Sequence, residues 1–178
     1  MNVVVLTTSY EEVSRSTLAA GVALAQLKSE AGVEITLLDL ATIGPSAYPD
    51  EEEAPARDAA VEAFQAGDAY VIATPVHNWG AAAATMAFLS HALDPDDPRK
   101  FRPVLVVGGA GTSRSHLALD GLVRTLQSEV DALIIGKPLL ACGDDVDRAA
   151  GTLRPDLVER IARATAVLVQ VARAREAS

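Results

Sequence analysis

Apolar residues fall along this chain in short unbroken runs, separated by longer stretches where they recur every third or fourth position. Residues 2–6 (NVVVL) are apolar and β-branched and predict a strand buried on both faces. Over 17–30, Leu18, Val22, Leu24 and Leu27 recur at roughly helical spacing. Residues 33–38 (VEITLL) start in alternation, which predicts a second strand at a sheet edge. The stretch 41–54 is punctuated, and its acidic run 50–53 is expected to be a solvated loop with an acidic helix start; a helix over 55–66 follows. A third strand, 70–73 (YVIA), is expected to stop at Thr74-Pro75, because proline fixes its φ and cannot donate to a ladder. Next come an alanine-rich helix over 81–93, a turn at 94–99, and an apolar strand at 103–107 ending on Gly108-Gly109. A helix over 115–127 leads to a strand at 132–135, which 139–141 extends beyond Gly136. Residues 143–153 read as a polar loop, and Pro155 sits where the first turn of a closing helix tolerates proline.

Strict strand–helix alternation predicts a five-stranded parallel sheet with helices on both faces, an α/β fold. Without repeats or a low-complexity linker, residues 1–178 are expected to form a single domain. Composition narrows the function classes. A net charge of −9 and a pI near 4.7 argue against nucleic acid or an anionic membrane as partner. The single cysteine, Cys142, excludes an intramolecular disulfide and suits a cytoplasmic setting. The opening MNVVVLTTSYEEV lacks a basic segment and is not expected to be a signal peptide, nor is any stretch long enough to span a bilayer.

In a parallel α/β sheet, ligands bind at the carboxyl ends of the strands. Three loops gather there. The first, 7–17, carries Ser9, Ser14, Ser16 and Thr17 with Arg15 beside a helix start, a set suited to a phosphate; helix capping by Ser14 or Ser16 is the plainer alternative. The second follows the third strand and places Thr74, Pro75, Val76, His77 and Asn78 before Trp79. The third contains Gly109, Ala110, Gly111 and Thr112. Glycine there lets the backbone approach a flat ligand, or simply permits a tight turn. As a dinucleotide fingerprint it is weak, since it follows the fourth strand and lacks the third glycine in place. An acidic cluster after strand one, a Walker lysine and a Gly-x-Ser-x-Gly elbow are all missing. His77, His91 and His116 have no metal-ligand spacing, so no metal is expected.

Ser9 with Ser14-Arg15-Ser16-Thr17, then Ile72-Ala73-Thr74-Pro75-Val76-His77-Asn78, then Gly108-Gly109 through Asp120, together resemble the NAD(P)H-dependent FMN reductase family. They are most similar to the flavin reductases of two-component monooxygenase systems. The resemblance implies a flavodoxin-like three-layer sandwich, sheet order 2-1-3-4-5, and FMN as cofactor with NAD(P)H as reductant. It further implies that Ser9, Ser14, Arg15, Ser16 and Thr17 hold the FMN phosphate. Pro75, Val76, His77 and Asn78 would flank the ribityl chain and ring, and Gly109, Ala110, Gly111 and Thr112 would approach the pyrimidine edge. No side chain need be catalytic, because the hydride chemistry is the cofactor's. The family also implies a homodimer or tetramer, with Trp79 and the 81–93 helix as interface elements, and a partner monooxygenase. The chain departs from the family pattern at Glu11, where arginine is usual, and at His77, where tyrosine is usual. These departures motivate two alternatives: a flavodoxin-like binding protein that has lost flavin chemistry, and a quinone or azo reductase using the same cofactor.

Overall fold

A computed structural model describes residues 1–11, 13–43, 54–97, 101–147 and 150–176. The acidic run 50–53 therefore lies outside the described residues. Elements alternate as expected: β1 (Asn2–Thr7), α1 (Arg15–Ser29), β2 (Glu34–Asp39), α2 (Leu40–Ile43), α3 (Ala54–Gln65), β3 (Ala69–His77), β4 (Gly80–Ala81) and α4 (Ala83–Ala92). Then come β5 (Pro103–Ala110), α5 (Asp120–Val130), β6 (Leu133–Ile134), β7 (Leu139–Cys142), β8 (Val146–Asp147), β9 (Thr152–Leu153) and α6 (Pro155–Glu176).

The main sheet runs β2-β1-β3-β5, with β6 and β7 both pairing with β5. All of these pairs are parallel. β6 lies against Pro103 and Val104, and β7 against Val107 to Ala110, so the fifth strand is one line broken at Gly136, whose φ is +67°. The strand order of the flavodoxin-like fold is thus present, and 139–141 does extend the last strand.

Period-two alternation in the central strands explains the three layers. Val3, Val5, Val71, Leu105 and Val107 point to one face and pack with Ala19, Ala20, Ala23 and Leu27 of α1 and Leu157, Ile161 and Leu168 of α6. Val4, Leu6, Ile72, Val104 and Val106 point to the other, against Phe64 of α3, Phe88 and Leu89 of α4, and Leu122 and Leu126 of α5. Three alanines on the sheet-facing side of α1, each 0–1% exposed, let that helix lie close over the strands.

Three sequence expectations need correction. β3 does not stop at Thr74-Pro75 but continues to His77, pairing Thr74 with Gly108 and Pro75 with Gly109. Ala73 O faces β1 and accepts from Thr8 N–H at 3.2 Å. Pro75, two residues on, faces the same side just beyond the end of β1, where no ladder needs its missing N–H. The strand then reverses through a two-residue hairpin into β4, with Asn78 at φ +49° and Trp79 at φ +64°. The helix expected over 115–127 starts later, because Thr112 accepts from Arg114 N–H and sets a 3₁₀ turn, Ser113–Leu117, ahead of α5. The polar loop 143–153 contains a small antiparallel pair, β8 with β9.

Candidate active site

The carboxyl ends of β1, β3 and β5 open into a cleft of about 540 Å³. It is lined from the first loop by Thr8, Ser9, Tyr10, Glu11, Ser14, Arg15 and Ser16, from the second by Pro75, Val76 and His77, and from the third by Gly109, Ala110 and Gly111. Ala82, Ala83 and Ala84, at the start of α4, complete it. Of the candidate residues, ten therefore meet in one place, and Thr17, Asn78 and Thr112 do not line the cleft. Asn78 occupies the hairpin turn, and Thr112 starts the 3₁₀ turn.

The first loop is organised by capping. Ser14 is the N-cap of α1, its Oγ accepting from Thr17 N–H at 3.0 Å. The same oxygen lies 3.0 Å from Ser16 Oγ and 2.7 Å from Thr17 Oγ1, so three of the hydroxyls share one network. Thr17 is tied to this cap through both its amide and its hydroxyl. The Arg15 and Ser16 amides, first in the helix, have no intrahelical acceptor and face the positive end of the dipole. Ser9 Oγ accepts from Glu11 N–H at 3.2 Å, which curls the loop locally on itself. Among the described residues, Arg15 Nε is the only buried side-chain nitrogen or oxygen without a hydrogen-bond partner. A buried guanidinium nitrogen left unpaired is costly, and an anionic ligand is the partner that would satisfy it.

The two glycines of the third loop differ in purpose. A Cβ on Gly109 would stand 2.6 Å from Ser16 N and 2.8 Å from Arg15 Cβ, so this glycine lets β5 pass beneath the start of α1. A Cβ on Gly111 would meet nothing within 4 Å; its surroundings are open. At the opposite wall, α4 has no side-chain cap at Ala82, and its first amides are left as donors beside the cleft.

Behind this wall lies a feature that the sequence reading missed. Thr8, Thr74 and Thr85 are 2%, 0% and 0% exposed, and Thr85 Oγ1 lies 2.7 Å from both Thr8 Oγ1 and Thr74 Oγ1. Thr85 is the one hydroxyl residue in AAAATMAFL, and a lone polar side chain in so apolar a run is the signal that would have pointed to it.

Beside the cleft, burial and then the Asp145 carboxylate raise the Cys142 thiol above its ordinary pKa of 9.0, while Arg15 and Arg154 pull the other way. Asp145 Oδ2 also accepts from Cys142 N–H at 3.1 Å. His91 and His116 are exposed, and neither lines the cleft. No helix among the described residues is long and apolar enough to cross a membrane.

Solved structures with the same architecture include an apo NADH:FMN oxidoreductase (EmoB). It is 18% identical, with a TM-score of 0.75, over 94% of this chain and 87% of that one. An oxidoreductase from Corynebacterium diphtheriae is 21% identical, with a TM-score of 0.73, over 95% and 94%. Oxidised flavodoxin 1 from Bacillus cereus is 16% identical, with a TM-score of 0.66, over 96% and 98%. At these identities the likeness establishes the flavodoxin-like fold. No curated protein sequence matches the chain. The sequence profile of the family described as NADPH-dependent FMN reductase matches residues 1–147, a span that contains all three loops. The chain therefore belongs to the NADPH-dependent FMN reductase family, a family of flavin-using oxidoreductases.

Proposed function

We propose that this enzyme carries out its flavin reductase reaction in the cleft between the three loops. The buried, unpartnered Nε of Arg15 carries this assignment, because Arg15 stands in the first turn of α1 and lines the cleft together with Ser9, Ser14 and Ser16. That donor set fits a phosphate monoester. Pro75, Val76 and His77 form one wall for a flat ring, and Gly109, Ala110 and Gly111 form the facing edge. FMN held there would supply the hydride and electron-transfer chemistry between NAD(P)H and free flavin, the product serving a partner monooxygenase. The chain's own groups anchor and orient: Arg15 and the α1 amides fix the phosphate end, and the uncapped α4 amides offer donors to acceptor atoms along the ring. Thr17, Asn78 and Thr112 act indirectly, through the cap and the two turns they hold.

Exposed apolar residues cluster around the same end of the sheet, with Tyr10 at 59%, Val13 at 47%, Trp79 at 65% and Leu117 at 62%. Such a cluster supports a homodimer formed across this edge. The single cysteine supports a cytoplasmic setting.

The test is direct. Purified protein is titrated with FMN, and NADH and NADPH oxidation is followed with free FMN, menadione and an azo compound as acceptors. Saturable FMN binding with turnover on free FMN is expected. No binding and no turnover at millimolar FMN would overturn the assignment, and faster turnover on the quinone or azo compound would move the acceptor but keep the cleft. Sedimentation is expected to give twice the 18.5 kDa chain mass, and a monomer at all concentrations would remove the dimer.

A further inference from the structure

Three segments that meet at the cleft are tied together from behind by buried hydroxyls. Thr8 leaves β1 and begins the first loop, Thr74 belongs to the end of β3, and Thr85 stands in the first turn of α4. Thr74 Oγ1 lies 3.0 Å from Pro75 O and accepts from Ala82 N–H at 3.1 Å, while Ala82 N–H also reaches Pro75 O at 3.0 Å. Thr8 Oγ1 has only a long alternative, Ala73 O at 3.4 Å. Each hydroxyl carries one proton. The assignment that uses the shortest contacts is a one-way chain in which Thr8 donates to Thr85, Thr85 to Thr74, and Thr74 to Pro75 O. Ala82 N–H closes the chain on Thr74. The links among the three threonines and from Ala82 N–H are buried, where hydrogen bonds are stronger and their loss is felt more than in water.

We propose that Thr85 is a positioning residue for the flavin cleft. Its hydroxyl holds the Pro75–His77 wall and the open amides of α4 in fixed register with the loop that carries Ser9 and Arg15. Thr85 itself lines no part of the cleft, so it acts through Thr8 and Thr74. Its link to ligand binding rests on the flavin assignment above. Packing alone does not account for the arrangement: valine would fill the same volume, yet the sequence places a hydroxyl at the one point from which both neighbours are 2.7 Å away.

Thr85→Val keeps the shape and removes both bonds, and Thr85→Ser restores the oxygen without the methyl. With melting temperatures recorded for each, FMN dissociation constants are expected to rise about tenfold in the valine variant, a loss of roughly 1.4 kcal/mol. They are expected to return to within about threefold of wild type in the serine variant, the span of ordinary context dependence in such contacts. Hydrogen exchange at the Ala82 amide is expected to quicken in Thr85→Val and recover in Thr85→Ser. If the valine variant does not fold, Thr85→Cys, whose thiol bonds weakly, takes its place with the same expected ordering. Wild-type FMN affinity in a folded valine or cysteine variant overturns the proposal and leaves the flavin assignment standing. So does a serine variant no better than the valine one. Failure of the wild-type protein to bind FMN overturns both.

Discussion

At the residue scale, neighbouring side chains in the cleft have opposite consequences for the same ligand. Glu11 lines the end of the cleft that Arg15 and the α1 amides make attractive to an anion. Replacing it with glutamine removes a repulsion against a phosphate dianion; through solvent-screened contact this is worth about tenfold in FMN affinity. Riboflavin, which has no phosphate, is expected to bind Glu11→Gln and wild type alike, and parallel titrations of the two ligands read the difference. Gly109 and Gly111 separate structure from binding in the same way. A methyl on Gly109 meets the backbone of Ser16 at 2.6 Å, so Gly109→Ala is expected to lose about 1–3 kcal/mol of stability by overpacking. Gly111→Ala has open space around it and is expected to leave the urea midpoint unchanged while altering flavin affinity. Cys142 is held as the neutral thiol by burial and by Asp145. At any neutral pH its thiolate fraction is below that of a free thiol. Its alkylation by iodoacetamide is therefore expected to be slower than that of glutathione at pH 7.5, and to go on accelerating as pH rises past 9.0, the ordinary value, where an unperturbed thiol begins to level off.

At the element scale, the hairpin between β3 and β4 sets two consecutive non-glycine residues at positive φ. A two-residue turn with both central residues at positive φ suits Asn-Gly. Asn78 tolerates that conformation, whereas Trp79 at φ +64° sets its Cβ against the following carbonyl. Trp79→Gly is expected to stabilise the protein by roughly 0.5–1 kcal/mol, raising Tm by about 2–4 °C in a scanning melt. This hairpin also marks where sequence legibility ended. The runs at 2–6, 70–73 and 103–107 showed the central strands because burial on both faces demands unbroken apolar residues. The convergence of Ser9, Arg15, His77 and Gly111 followed from strand order alone. What stayed hidden depended on partners distant in sequence. Pro75 is admitted to β3 only because β1 has already ended beside it, and the start of α5 is delayed by a hydroxyl on Thr112. The three threonines lie at positions 8, 74 and 85, and no local pattern joins them.

At the scale of the whole molecule, the sheet divides labour between its two ends. The interior is fixed by two apolar layers, one facing α1 and α6, the other facing α3, α4 and α5. The carboxyl edge keeps the uncapped start of α4, the curled first loop and the exposed apolar rim. Ligand binding to the folded state alone stabilises it by mass action, by about 2.7 kcal/mol at a hundredfold excess over the dissociation constant. FMN is therefore expected to raise Tm in a concentration-dependent way, by less in Thr85→Val than in wild type at equal FMN. One feature of this edge also equips the protein for measurement. The chain contains a single tryptophan, and it sits at the tip of the hairpin whose strand forms the cleft wall, 65% open to solvent. Its emission comes from one known place and overlaps flavin absorption, so energy transfer to a bound ring would dim it. Occupancy of the cleft can then be followed by native fluorescence, with no label added and no residue changed.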